Sequence, residues 1–347
     1  MICRMPSIVC AAVLLTVSAP SAETLNELYE KAKVEKALVF YAGGPTAPYE
    51  ARVKRFHEQF PGIQVSVEGG FSNVLNQRIE RQMTEGKLEV DLAFFQTVQD
   101  FVGWKKRGKL LAFKPDGFDQ IIPNLRDTDG AYMAFSAVAI AYAYNTSLVK
   151  PDNAPKSALD FLKPEFAGKL ISVYPHDDDA ALYLFHLIVQ KYGWGWMDHY
   201  MAGKPHFVQG HLPVARAVAE GKMAATLDAT ITTAGGLKRQ GAPIEIAFSE
   251  QDETPVFSVT GGIFKDAPHP NAAKLFLSWY LAKEQQTGSG GFSPRVDVAP
   301  PPGFKPLTSH KIANNYREFV TNEPLVAEMR KRMEGIIGPI VNQGGVR

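Results

Sequence analysis

The spacing of apolar residues changes period several times along the chain. Leu25, Leu28, Tyr29 and Ala32 recur at helical spacing behind Thr24, a candidate N-cap. Leu38-Val-Phe-Tyr41 reads as a buried strand, and helical spacing resumes at Tyr49, Val53, Phe56 and Phe60. Ile63 to Glu68 predicts a second strand, followed by a helix holding Leu75, Ile79 and Met83, with Ser72 or Asn73 as its cap. Val90 to Phe95 predicts a third strand, leading through Gln96-Thr97 into a helix with Phe101 and Trp104. Strands alternating with helices imply a mostly parallel sheet covered on both faces.

At the centre of the chain's main apolar stretch, Met133 to Tyr144 is a run of twelve residues with no charge, Gly or Pro. A bilayer crossing needs ~20 apolar residues, so this stretch is too short for one. An ordinary strand has ~5–6 residues, so it is either one long core strand or a strand that leaves one packed body and enters another. The β/α rhythm then restarts, with strands predicted at Leu170–Tyr174, Met223–Leu227 and Ile244–Phe248 and helices between them. A second extended run, Thr254 to Phe264, follows and favours the crossing. A helix with Ala273, Phe276, Leu277 and Tyr280, a Pro-rich stretch from Ser293 to Pro306 and an amphipathic helix from Glu323 to Ile337 complete the chain.

The first 22 residues read as a secretory leader. Arg4 is the positive start, Ile8 to Val17 the apolar core, and Ser18 to Ala22 the small residues for cleavage. Both cysteines, Cys3 and Cys10, lie in this leader. The exported chain would then have no disulfide, thiolate metal site or cysteine nucleophile. With Arg4 gone, the 37 basic residues fall by one and match the 36 acidic ones. A neutral chain has no general field for nucleic acid or anionic membrane, so neither is an expected partner. Single cores stop growing at roughly 250–300 residues, which predicts two lobes.

No catalytic motif is present: there is no His-Glu-x-x-His, Gly-x-Ser-x-Gly or P-loop. Gly288 to Phe292 is glycine-rich but neither follows a strand nor opens a clear helix, so it reads as a loop rather than a phosphate cradle. The recurring feature is a strand end that feeds polar residues into a helix start. In open α/β sheets ligands bind at such corners. Each corner taken alone is also explained by helix capping. The candidate ligand contacts are Thr46, Tyr49, Ser72, Asn73, Gln96, His176, Asp177, Gln209, His211, Asp228 and Thr230. Helix N-termini favour an anion, whereas the acidic run Asp177 to Asp179 favours a cation or amine, and the two readings conflict. No catalytic residue, cofactor or metal ligand is assigned.

Several stretches, in order, resemble the extracellular solute-binding proteins of ATP-driven (ABC) importers, in the branch that includes periplasmic ferric-iron binders. They include Leu38-Val-Phe-Tyr-Ala-Gly43, Asp91-Leu-Ala93, Ala143-Tyr-Asn-Thr-Ser147, Phe161-Leu-x-Pro-Glu-Phe-Ala-Gly-Lys169, Ala219-Glu-Gly-Lys-Met-Ala-Ala225, His269-Pro-Asn-Ala-Ala273 and Ser293-Pro-Arg-x-Asp-Val298. The resemblance implies an α/β protein of two lobes joined by two crossing hinge strands, similar to type II periplasmic binding proteins, with a ligand cleft between the lobes. It places residues 23–137 plus 260–347 in lobe 1 and 138–259 in lobe 2, with the crossings at Ala137–Asn145 and Val256–Gly262. It also implies a monomeric periplasmic receptor that passes a small polar or charged solute to membrane permease subunits.

Iron-binding members carry adjacent tyrosines after the strand corresponding to Met223–Leu227, and here that place reads Asp228-Ala-Thr-Ile-Thr-Thr233. A ferric site of that type is not expected, although His176 and Asp177 to Asp179 offer hard ligands to a cation. An exported enzyme on the same fold, a metal-ion binder and a sensory receptor are the alternatives.

Overall fold

The computed structural model describes residues 23–288 and 290–341. The expected leader and Ser289 of the glycine-rich loop lie outside the described residues. The chain opens with α1 (Leu25–Glu35), β1 (Ala37–Gly43), α2 (Ala47–Gln59), β2 (Gln64–Gly70), α3 (Ser72–Thr84), β3 (Leu92–Phe95), α4 (Val98–Lys106) and β4 (Leu110–Leu111). The long strand β5 spans Met133–Asn145. Beyond it come β6 (Ile171–Val173), α5 (Asp179–Tyr192), α6 (Trp194–Ala202), β7 (His206–Val208), α7 (His211–Ala219), β8 (Ala225–Thr230), α8 (Ile231–Arg239) and β9 (Ile244–Ala247). Then β10 (Val256–Phe264) leads to α9 (Pro270–Leu281), α10 (Lys283–Gln286), α11 (Tyr316–Val320) and α12 (Glu323–Ile337).

Local chemistry sets the first boundary as expected. Thr24 Oγ1 accepts from the Glu27 amide at 3.2 Å while Glu27 Oε2 accepts from the Thr24 amide at 2.8 Å, a reciprocal capping box. The cap of α3 differs from the expectation. Phe71 occupies it without a side-chain hydrogen bond, and Ser72 is already the first helical residue.

Among the described residues one eight-stranded sheet runs in the order β2-β1-β3-β10-β5-β8, with β4 also on β10 and β9 also on β5. The expected mostly parallel sheet holds only locally. β1 is parallel to β2 and β3, and β6 to β7. β10 is antiparallel to β3, β4 and β5, and β5 is antiparallel to β8 and β9. The reason is topological: the chain leaves the first half through β5 and returns through its neighbour β10, so those two strands must point in opposite directions. β5 spends its first residues on β10, from Met133↔Gly261 to Ala139↔Val256, and its last, from Ile140 on, on β8 and β9. It is therefore shared by two lobes, each with its own strands and flanking helices.

The small–large alternation in β5 has a packing cause. Ala139, Ala141 and Ala143 join one buried cluster, while Val138, Ile140, Tyr142 and Tyr144 join another. Successive side chains point to opposite faces, so the strand separates two cores. Near its start the pairing slips, since Val259 faces Ser136 but Thr260 faces Ala134. Phe135 is the extra residue of a β-bulge, a feature that bends and twists the strand that carries it.

Candidate functional site

Three of the expected residues are placed by the ends of β1 and β3 and the start of α3. Gln96 Nε2 donates to the Gly43 carbonyl at 3.0 Å, and Ser72 Oγ donates to Gln96 Oε1 at 3.3 Å. A Cβ on Gly43 would lie 2.4 Å from both Gln96 Oε1 and Ser72 Oγ, so glycine is what allows this close approach. Asn73 is exposed beside them and its Oδ1 accepts from the Val74 amide at 2.9 Å. Thr46, by contrast, lines an open groove on the outer side of α2 and β2, with Glu50, Lys54, His57 and Val65.

The second half gathers another group at the ends of β6, β7 and β8. Asp178 caps α5, accepting from the amides of Ala180 and Ala181 at 2.9 Å each. Asp228 is fully buried and its Oδ2 accepts from the Val173 amide at 3.0 Å and Ser172 Oγ at 3.2 Å. His211 lies between them, with Nδ1 3.3 Å from Asp228 Oδ1 and Nε2 3.6 Å from Asp178 Oδ2. Burial alone would lower the imidazole's pKa, but the charges of Asp228 and Asp178 outweigh it and raise it well above its ordinary value. The two carboxylates therefore favour the protonated imidazole, although neither ring nitrogen has a hydrogen-bond partner among the described residues.

The rest of the acidic run is also committed. Asp177 Oδ2 accepts from Gln209 Nε2 at 2.8 Å, and Asp179 accepts from Gln99 Nε2 at 3.0 Å and pairs with Arg330 of α12. Gln99 lies on α4, so Asp179 joins elements from both halves; α11 also lies against both α4 and α5. His176 sits beside Tyr174 and the end of α12, where burial lowers its pKa against the opposing charges of Glu334 and Asp177. Thr230 is buried, its hydroxyl 2.7 Å from that of Thr233. No group of three or more His, Cys, Asp or Glu arranged to hold a metal occurs among the described residues.

Between the two halves lies a cavity of about 300 Å³. Tyr49 and Arg52 of α2 and Tyr280 of α9 form one wall, and Thr232 and Arg239 of α8 form the other. Ser136 of β5 and Val259 of β10 form the floor, beside the bulge, and Gly290 and Gly291 close one side. Tyr49 is the one expected contact residue that lines it. Burial pushes the Tyr49 phenol well up, with Tyr280 adding to the effect, so the hydroxyl stays a hydrogen-bond donor. Arg52 Nη1 donates to the Gln285 carbonyl at 3.0 Å, and its guanidinium carbon lies 4.3 Å from the Tyr280 ring centroid.

Sequence reasoning passed over Arg52, Ser136, Thr232, Arg239, Tyr280 and the Gly290-Gly291 pair as wall residues. Arg52 was open to inference, because it lies three residues from Tyr49 and so on the same helix face. Thr232 and Arg239 are seven apart, two turns along one face of α8, but nothing local marked that face as turned toward the cavity.

Residues 42–287 match the family described as bacterial extracellular solute-binding proteins. A Fe(3+)-binding periplasmic protein of Serratia marcescens is 24% identical over 270 residues, which cover 74% of this chain and 77% of that protein. Iron-bound HitA from Pseudomonas aeruginosa superposes with a TM-score of 0.70 at 18% identity, covering 86% of this chain and 99% of HitA. AfuA from Actinobacillus pleuropneumoniae, solved with exogenous fructose-6-phosphate bound, gives 0.67 at 19% identity, covering 87% and 98%. With the family match spanning most of the sequence and the two-lobed fold repeated in these structures, the chain belongs to the bacterial extracellular solute-binding protein family.

Proposed function

We propose that this protein is the exported receptor of an ABC importer, which encloses a small solute between its lobes and presents it to the permease subunits. The observation that carries the reading is the cavity whose walls come from α2 and α8 and whose floor is made by both crossing strands. A ligand that touches both walls favours the closed arrangement by its differential affinity for it. The lobes are taken as residues 23–137 plus 260–347 and residues 138–259, with the bulge at Phe135 close to the pivot. The leader expected in residues 1–22 and the periplasmic relative favour action in the periplasm. Tyr49 and the cavity walls are the primary contacts. The corner of Gly43, Ser72 and Gln96 and the corner of His211 and Asp228 act as supports for the two rims.

The relatives named for iron suggest a ferric ligand, and the relative with a bound sugar phosphate suggests another class. The position where ferric binders carry paired tyrosines holds Asp228, which is fully buried, with Oδ2 accepting from Val173 and Ser172 and Oδ1 3.3 Å from His211. That disfavours iron held in the family manner. Native mass spectrometry of protein isolated from the periplasm, with small-angle scattering before and after ligand removal, tests the receptor reading. One small-molecule adduct per chain, with a more compact particle when it is bound, is the expected result. Chemical conversion of the adduct by the purified protein would overturn it in favour of an enzyme.

A further inference from the structure

We infer that the captured solute is a small organic anion, bearing phosphate or carboxylate, held between Arg52 of the first half and Arg239 of the second. The inference deepens the receptor reading and rests on it. The two guanidinium groups are the charged side chains in the cavity wall, and no carboxylate shares that wall among the described residues.

Neither arginine is neutralised by a neighbour. Arg52 is fixed by a single hydrogen bond to the Gln285 carbonyl and by stacking on Tyr280, which orient the fork without cancelling its charge. The Arg239 side chain makes no hydrogen bond or ion pair with the described residues. It ends α8 and reaches the 290 loop, since a Cβ on Gly290 would stand 3.6 Å from Arg239 Nη2.

Two unpaired cations facing one cleft repel each other and raise the local concentration of anions. An anion placed between them turns that repulsion into two charge-assisted, fork-shaped contacts, one to each half. Closure is then driven by the charge of the ligand. Tyr49, Ser136 and Thr232 line the same cavity, with the Thr232 hydroxyl donating to Thr230 at 3.4 Å, and can serve the uncharged part of the molecule. The acidic run that argued for a cation is spent on Gln209, the α5 cap, His211, Gln99 and Arg330.

The test is calorimetry and small-angle scattering on the exported protein with inorganic phosphate, glycerol 3-phosphate and succinate, with glycerol and ferric chloride as controls. At least one anion is expected to bind and compact the particle, with affinity falling as salt rises, while glycerol does neither. Arg52→Gln and Arg239→Gln should each weaken that binding by about 10- to 100-fold, the range of a lost charge-assisted contact. Arg239→Lys should recover only part of it. The ligand-free melting temperature of Arg239→Gln should match the parent's, and that of Arg52→Gln should fall slightly, because it loses the Gln285 hydrogen bond and the Tyr280 stack. Compaction by glycerol or ferric ion but by no anion would overturn the anion assignment and leave the receptor reading standing, as would a co-purified adduct without an acidic group. If neither a probe nor a co-purified molecule compacts the protein, both readings fall.

Discussion

The Tyr142 hydroxyl donates to Asp252 Oδ2 at 2.7 Å, tying the middle of β5 to the loop that feeds β10. Asp252 also accepts from the Ala158 amide, Lys191 Nζ and the Tyr192 hydroxyl, so a single buried carboxylate organises the outer end of both crossing strands. Burial would raise its pKa, but Lys191, Tyr192 and the Ala158 amide lower it below the usual carboxylate range. Asp252→Ala leaves the buried Ala158 amide and Tyr142 hydroxyl unpaired, while the part-exposed Lys191 turns to solvent. It is expected to cost about 1–3 kcal/mol, read from the urea midpoint. The group's contribution is present above its unfolded pKa and is lost as pH falls through the depressed folded value. The variant should therefore show a shallower acid-side loss of stability than the parent.

His211 sets the opposite slope. Its folded pKa is raised, so the stability it contributes is complete below about pH 6.5, its ordinary value, and is lost as pH rises through the folded value. Melting temperature measured from pH 6 upward should decline on the alkaline side, and His211→Gln should flatten that decline while lowering the plateau. An unchanged alkaline slope in the variant would remove the imidazolium from the account.

Gly261 of β10 has no room for a side chain. A Cβ there would lie 2.5 Å from two carbons of the Phe94 ring and 2.7 Å from the Phe135 ring, and both rings are buried. Gly261→Ala should cost about 1–3 kcal/mol by overpacking. Chemical denaturation measures this, and adding Phe94→Leu should recover part of the loss if the clash is with that ring.

Asp179 links α4 and α12 through Gln99 and Arg330, and so bridges the halves on the side away from α8. Asp179→Ala removes contacts that hold this arrangement. A shift of about 0.5–1.5 kcal/mol, the net worth of one such hydrogen bond, should weaken solute binding a few-fold and enlarge the particle in small-angle scattering. Equal dimensions and affinity would show that the bridge carries no weight in closure.

Much of the fold was legible because its strongest signals are local. β5 coincides with the Met133–Tyr144 run and extends it by one residue, Asn145, and α12 matches the amphipathic span from Glu323 to Ile337. Strand direction was not legible, because the same apolar run suits either neighbour and only the return of the chain through β10 decides it. The cavity was legible in part. Strand-end reasoning found Tyr49, but it favoured loop residues such as Thr46 over helix flanks, and Arg52 and Arg239 lie on flanks. At the corners of the second half Asp177, Asp178 and Asp228 Oδ2 are bonded within the protein. Both ring nitrogens of His176 and His211, and Asp228 Oδ1, are instead buried without a hydrogen-bond partner among the described residues. Neither outcome can be told from ligand contact until the spacing in three dimensions is known.

The pairing of Ala139 with Val256 has a modular consequence. The chain departs from the first half and rejoins it at adjacent points on neighbouring strands, which lie about 5 Å apart. Everything between those residues is an insertion whose two ends nearly touch. A short turn joining them would leave the remaining sheet, β2-β1-β3-β10-β5, with its strand order intact. The inserted half can thus be viewed as a cassette in a hairpin, free to diverge in α8, the helix that lines the cavity, while the parent sheet keeps its register.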